Sequence, residues 1–377
     1  MAGMNLPGGN VPDADAPDGK IQDVSVPGPG VPHEAVKAVM DQRAGEAASQ
    51  NRRSATIRLL GLAAGFIVLV VLVNVLAHGN FLEPRNLTNV LRQITVNAIL
   101  AVGQTFVIIT AGIDLSVGSI VGLCGVVMAL VANTLHLGGP GTFAVTLLVG
   151  LAVGCAAGWV NALPVVRLGL PPFITTLAMM QMARGLAFIV AHGQPIPLAD
   201  SSPFDWLGTG YVLSGIASFG GVPWVVIVMA VVAIVFAIVL GRTAYGRYVL
   251  ALGGNEEAAR LAGIDTHTVK TLVYVISGGC AALGGMLLMA RFGSAAPQNG
   301  TGAELQCIAA VVVGGTSLMG GRGTIVGTFF GALLIGVLNN VMNLINIESY
   351  TQQIVLGAVI LLAVIADELR KRYLAAR

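Results

Sequence analysis

GRTAYGRYVLALGGNEEAARLAGIDTHTVK, residues 241–270, carries Arg242, Arg247, Glu256, Glu257, Arg260, Asp265 and Lys270. The runs on either side, 222–240 and 271–290, contain no Asp, Glu, Lys or Arg. Each can cross a bilayer as a helix, for which about 20 apolar residues suffice. A charged island between two such runs is an aqueous loop joining membrane spans. Within it, Asn255 can cap a short helix whose first turn holds Glu256 and Glu257, where carboxylates complement the helix dipole. Gly263 suits a left-handed C-terminal cap. The spacing predicts about two helical turns. Ala258, Ala259 and Ala262 form a small face, with Leu261 and Ile264 as apolar knobs.

The rest of the chain has the composition this reading requires. Of 377 residues, 55% are hydrophobic and 10% charged, and the mean hydropathy is +0.83. Soluble domains are about a quarter charged, so the chain reads as a polytopic membrane protein. The apolar runs are too long for barrel strands, and backbone polar groups must pair internally in lipid, so the fold class is all-α. We place about ten transmembrane helices, at 57–77, 87–110, 116–135, 143–163, 173–191, 222–240, 271–290, 304–319, 324–346 and 350–366. Residues 1–55 are rich in Pro, Gly and Asp without apolar period and read as a disordered tail; residues 56–377 form the membrane domain.

Charge distribution sets the orientation. With the tail inside, the cytoplasmic segments collect Arg52, Arg53, Arg58, Arg167, Arg242, Arg247, Arg260, Lys270, Arg322, Arg370, Lys371, Arg372 and Arg377. The outer segments keep little beyond Arg85 and Arg291. The asymmetry predicts both termini in the cytoplasm, together with the 241–270 loop. Glycines recur at helical spacing, at Gly61/Gly65, Gly150/Gly154/Gly158 and Gly323/Gly327/Gly331. Such rows let helices approach closely, chiefly within one subunit.

Chemistry-bearing motifs are sparse. A nucleotide-binding P-loop needs G-x-x-x-x-G-K-[ST], yet the one Gly-Lys pair is Gly19-Lys20, followed by Ile21. Cys124, Cys155, Cys280 and Cys307 lie in or beside apolar runs without metal or redox spacing. No metal site, catalytic residue or resident cofactor is expected, and nothing points to nucleic acid. Asp114, in GIDLSVGS at 112–119, is the one acid between Glu83 and Asp200. It reads either as a helix cap at the cytoplasmic surface, assisted by Ser116, or as a charge facing a cavity. Gly112 and Gly118 would loosen the helix around it. Asn97, Gln104, Gln181, Arg184, Glu304, Asn339 and Asn340 add polar groups within spans. Neutral amides suit a polyol, and they equally tie helices together.

GGNEEAARLAGI, GIDLSVGS and the 300–340 segment TGAELQCIAAVVVGGTSLMGGRGTIVGTFFGALLIGVLNN resemble the permeases of ribose- and xylose-type ABC importers. The resemblance covers roughly 82–367; the long tail departs from the family pattern. It implies an importer permease fold in the bacterial inner membrane, with two permease copies, an ATPase subunit holding ATP and Mg, and a periplasmic sugar-binding protein. It implies that Gly254, Glu256, Ala258 and Gly263, with Asn255, Glu257 and Ala259 beside them, form the loop that couples to the ATPase. Asn97, Gln104, Asp114, Ser116, Gln181, Glu304, Asn339 and Asn340 are the candidates for the translocation pathway. The competing reading is an ion-coupled secondary transporter, which needs membrane carboxylates of which only Asp114 and Glu304 come close.

Overall fold

The computed structural model describes residues 65–68, 70–75, 79–135, 137–213 and 221–375. The 1–55 tail and the start of the 57–77 run lie outside the described residues. In chain order the helices are α1 (Gly65–Val75), α2 (Pro84–Ile109), α3 (Val117–Thr134), α4 (Gly139–Arg167), α5 (Pro172–Val190) and α6 (Ser202–Gly208). They continue with α7 (Trp224–Arg242), α8 (Ala244–Gly254), α9 (Glu256–Leu261), α10 (Thr266–Phe292), α11 (Ala303–Val313), α12 (Ile325–Leu344) and α13 (Ser349–Ala375). Strands among the described residues are two residues long: β1 (Ile196–Pro197) pairs antiparallel with β4 (Ser294–Ala295), and β2 (Tyr211–Val212) with β3 (Val222–Pro223).

Among the described residues, seven helices are long and apolar enough to cross a membrane: α2, α3, α4, α5, α7, α10 and α12. The all-α polytopic class therefore stands. α2 is the central post, with 83% of its most apolar window buried; α7, at 17%, turns its apolar side chains outward.

The run at 304–319 does not form one continuous span. Its helix, α11, has 11 residues, about 16 Å at 1.5 Å per residue, half of a hydrocarbon core of about 30 Å. Gly314 ends it by lying against the backbone of Gly327, and Gly315 turns at φ +88°. An apolar run records composition, and composition does not register a backbone break.

Two of the glycine rows, 150/154/158 and 323/327/331, pack inside the chain, whereas Gly65 has nothing within 4 Å of an added Cβ and Gly61 lies outside the described residues. A Cβ on Gly154 would strike the carbonyl of Gly278, and one on Gly158 the carbonyl of Tyr274. That joins α4 to α10 backbone to backbone. Gly150 makes room for Met128, and Gly327 and Gly331 admit Gly314 and Ala310. With no hydrophobic drive between helices in lipid, such close packing carries much of the cohesion. Gly158→Leu should lower the thermal unfolding midpoint of the detergent-solubilised protein sharply, since overpacking costs about 1–3 kcal/mol or more. Gly357→Ala in α13, where nothing lies within 4 Å of an added Cβ, should leave it unchanged or raise it.

Candidate functional site

The charged loop folds into two helices. Thr243 caps α8, its Oγ1 accepting from Gly246 N at 3.2 Å, an element the charge pattern alone does not announce. Asn255 then caps α9 as expected: its Oδ1 accepts from Ala258 N at 2.9 Å. Gly263 takes the left-handed turn at φ +83°. Its N–H donates to Arg260 O at 3.0 Å and that of Ile264 to Ala259 O at 3.1 Å, the two-bond closure that ends a helix on glycine. Glu256 pairs with Lys270 at 2.7 Å. Asp265 opens α10, and its bonds from the hydroxyl and N–H of Thr268 hold its carboxyl below the usual range.

The small face divides, which corrects the sequence expectation. Ala259 is buried and Ile264 half-buried against the core, whereas Ala258 and Ala262 are exposed and Leu261 is 82% exposed. Ala259 lies about 100° round the helix from Ala258 and about 60° from Ala262 at 3.6 residues per turn, and the helix is rotated so that Ala259 alone of the three turns inward. The outward patch is Ala258, Leu261 and Ala262. Gly254 has open space beside it. The glycine that a side chain would jam is Gly253, packed on Ile109 O and Gly321 N. Gly321 N itself donates to Ile109 O at 2.8 Å. The α8–α9 junction is thereby fastened to the end of α2 and to the turn between α11 and α12.

Asp114 lies in the segment between α2 and α3, fully buried. Its Oδ1 accepts from Ser116 N at 2.9 Å and Ser116 Oγ at 2.6 Å, and Oδ2 accepts from Ser277 Oγ of α10 at 2.8 Å. Asn161 of α4 donates to Ser116 Oγ at 2.8 Å. Gln104 of α2, its carboxamide oriented to suit both partners, donates to Asp114 O at 3.2 Å and accepts from Asp114 N at 3.0 Å. The side chain is therefore not a surface cap: residues of α2, α4 and α10 and the N-cap of α3 gather around Asp114. Gln104 sits five residues above Ile109, about 7.5 Å into the membrane. The helix is broken there rather than loosened. Gly118 is small because Gly300 and the Glu304 side chain pack on it.

The other candidates separate into ties and open groups. Asn340 and Asn86 exchange two amide bonds of 3.0 Å, lashing α12 to α2. Asn97 donates to Gln306 of α11. Glu304 Oε1 accepts from Gly302 N at 3.2 Å, and its Oε2 is buried without a partner. Gln181 is exposed on α5. Asn339 lines a cavity of about 240 Å³ between α2, α11, α12 and α13, with Gln93, Asn97, Gln306, Ser349, Gln352 and Gln353. Ile94, Ala310, Ala332, Ile335, Gly336 and Leu356 complete a mixed lining that carries no formal charge. Sequence reading passed over Gln93, four residues before Asn97 and hence on the same helix face, and Gln352 and Gln353, which open α13.

Asp114→Asn should destabilise the protein more than Ser277→Ala. A hydrogen bond contributes about 0.5–1.5 kcal/mol net, and more where one partner is charged; the amide keeps the shape and weakens two hydroxyl bonds. We expect a fall of roughly 5 °C in the thermal midpoint for Asp114→Asn and a larger one for Asp114→Ala, measured in detergent. Equal midpoints for wild type and Asp114→Ala would remove Asp114 from any structural role.

Residues 86–364 match the family described as branched-chain amino acid transport system / permease component. The ribose import permease protein RbsC of Escherichia coli K12 is 44% identical over 304 residues, 80% of this chain and 91% of the relative. The fructose import permease protein FrcC of Rhizobium meliloti is 37% identical over 314 residues, covering 81% and 85%. The xylose transport system permease protein XylH of E. coli K12 is 34% identical over 374 residues, covering 85% and 94%. No solved structure matches the chain. These relatives are transport permeases and not enzymes. With seven apolar helices and these matches, the chain is a multi-pass protein of the bacterial inner membrane, and it belongs to the branched-chain amino acid transport system / permease component family.

Proposed function

We propose that this chain is the membrane-spanning subunit of an ATP-driven ABC importer that moves a monosaccharide or related polyol inward. Its partners are an ATPase subunit that binds ATP and Mg, a periplasmic sugar-binding protein and a second copy of the chain. Both termini and the 241–270 loop lie in the cytoplasm, which the Lys/Arg distribution supports. The observation that carries the reading is α9: a capped helix that presents Ala258, Leu261 and Ala262 outward while Gly253 fastens its base to α2. An exposed leucine on a rigid, small-residue helix suits insertion into a partner's groove, with Glu256, Glu257 and Arg260 setting orientation.

The substrate class rests on the relatives' names and on chemistry. The amides at membrane depth are neutral donors and acceptors, which match hydroxyls. Asn97, Gln104, Ser116 and Asn340 make intramolecular bonds and hold the frame; Gln181 and Asn339 are free to face solute. An ion-coupled transporter would need a carboxylate able to exchange its proton with water. Asp114, at 0% exposure and with three donors, is a poor one.

The docking reading orders three variants. Ala258→Trp places a ring where the partner's groove has room for a methyl; such overpacking costs about 1–3 kcal/mol, a several-fold to more than hundredfold loss of ATPase affinity. Gly263→Val should be as severe, because φ +83° is closed to a β-branched residue. Glu257→Ala should do less, since an exposed charge pair contributes about 0–1 kcal/mol. ATPase co-purification and transport-coupled ATP hydrolysis are the readouts, at equal membrane levels. Wild-type coupling in both Ala258→Trp and Gly263→Val would show that α9 is not the docking element.

A further inference from the structure

Between α10 and α11 the chain turns back into the membrane. Ala295 lies beside Gly125 of α3, the Pro297 and Asn299 carbonyls beside Gly122, and Gly300 beside Gly118. From Gly125 to Gly118 is about 10 Å of α3, so residues 295–300 descend by that amount from the outer side. Gly300 and Gly302 adopt φ +78° and +79°, and Gly300 lies directly on the α3 backbone, a position closed to any side chain. α11 then starts at this depth. Two observations fix the depth. Asn97, which bonds Gln306 in the first turn of α11, is twelve residues, about 18 Å, above the inner end of α2. Thr176 of α5 bonds Ile113 O at the inner side, and Arg184 lies about 12 Å further out. Both place the start of α11 near the middle of the bilayer.

Arg184 pins the segment. Its Nη1 donates to the carbonyls of Pro297 and, at 2.9 Å, Asn299. Backbone carbonyls that no helix or sheet can pair are thereby matched by a guanidinium, as the interior of a bilayer requires. Beyond that clamp, Gln298 and Thr301 are exposed, and so is Gln181, three residues before Arg184 and on the same face of α5. Non-helical backbone with exposed polar side chains at mid-bilayer depth is tolerated where it lines a water-filled space or is covered by protein, not against lipid.

Building on the importer reading, we infer that segment 296–302, with Gln181, is the water-facing wall at which a neutral sugar is contacted midway through the membrane. Arg184 is the positioning residue that holds this wall to α5. Gln181 and Gln298 offer amides able both to donate and to accept, and the Thr301 hydroxyl, which donates to Gln298 O at 2.6 Å, remains an acceptor; this set suits paired sugar hydroxyls.

Accessibility tests this independently of transport. In the assembled importer, with Cys124, Cys155, Cys280 and Cys307 replaced, single cysteines are placed at Gln298, Thr301 and, as a lipid-side control, Ile234 of α7, which is 59% exposed. A charged methanethiosulfonate reagent reacts with thiolate, and each unit by which an apolar setting raises a thiol's pKa removes thiolate tenfold. Cysteines at 298 and 301 should react more than about tenfold faster than at 234, and D-ribose delivered by the binding protein should slow them. Reaction at 298 and 301 no faster than at 234 would overturn the inference, whether lipid or a dry subunit interface covers the face. Thr301→Val and Gln298→Ala should raise KM for ribose uptake about two- to tenfold, the scale of a lost neutral hydrogen bond. Unchanged KM in both would also count against it. Uptake by the cysteine-free parent is the separate control: if it takes up no monosaccharide while 298 and 301 react fast, the importer reading fails on substrate and the aqueous wall stands.

Discussion

A carboxylate that water cannot reach must be matched by the protein or give up its charge. Asp114 is matched by two serine hydroxyls and an N–H, and the rest of the membrane domain is arranged around that requirement. Meeting it takes residues from α2, α3, α4 and α10, and the main chain must leave helical geometry between Thr110 and Ser116 to let them converge. The close glycine crossing of α4 and α10 brings Asn161 and Ser277 within reach. Packing and polar satisfaction are here one constraint: widen the crossing and the carboxylate loses its donors.

The same break joins the loop to the core. Ile109 ends α2 a few residues before Asp114, and its carbonyl receives the N–H of Gly321 while Gly253 packs on it. The α8–α9 junction, the end of α2 and the α11–α12 turn thus meet backbone to backbone. Two interrupted elements, 110–116 and 295–302, meet where Gly300 lies on Gly118. Interrupted helices at a membrane midplane are where transporters can expose backbone and polar groups to solute while the surrounding helices stay intact. In this chain the base of α9 packs on the end of α2, and segment 295–302 packs on the start of α3, with the 110–116 break between them.

Much of this was legible from residue types. The long apolar runs gave the class, and Asn255, Glu256, Glu257 and Gly263 gave a capped helix whose bonds fall where cap chemistry places them. Asp114 drew attention by its isolation. What stayed hidden has one physical source: composition records how apolar a segment is, and not where its backbone goes. Residues 304–319 are mostly apolar, yet α11 stops at Val313, where Gly314 meets Gly327. Gln298 and Thr301 read as loop residues beyond a span; their depth is set by Gly118 and Gly122, nearly two hundred residues earlier. Likewise Asn340 and Asn339 are adjacent and identical in type, but one is consumed by Asn86 and the other opens on a cavity. Helix phase against distant partners decides between them.

The proposed picture is of an ATP-driven path for an uncharged, hydroxyl-rich solute: amides at depth, Asp114 buried and held by three donors, and α9 as the proposed docking helix. Its most direct test is uptake into proteoliposomes holding the permease and its ATPase subunit, with the binding protein outside. The account predicts accumulation of radiolabelled ribose, fructose or xylose that requires ATP in the lumen and persists when ionophores collapse ion gradients. Uptake that ignores ATP and stops with the ionophore, or accumulation of leucine and of none of these sugars, would contradict it.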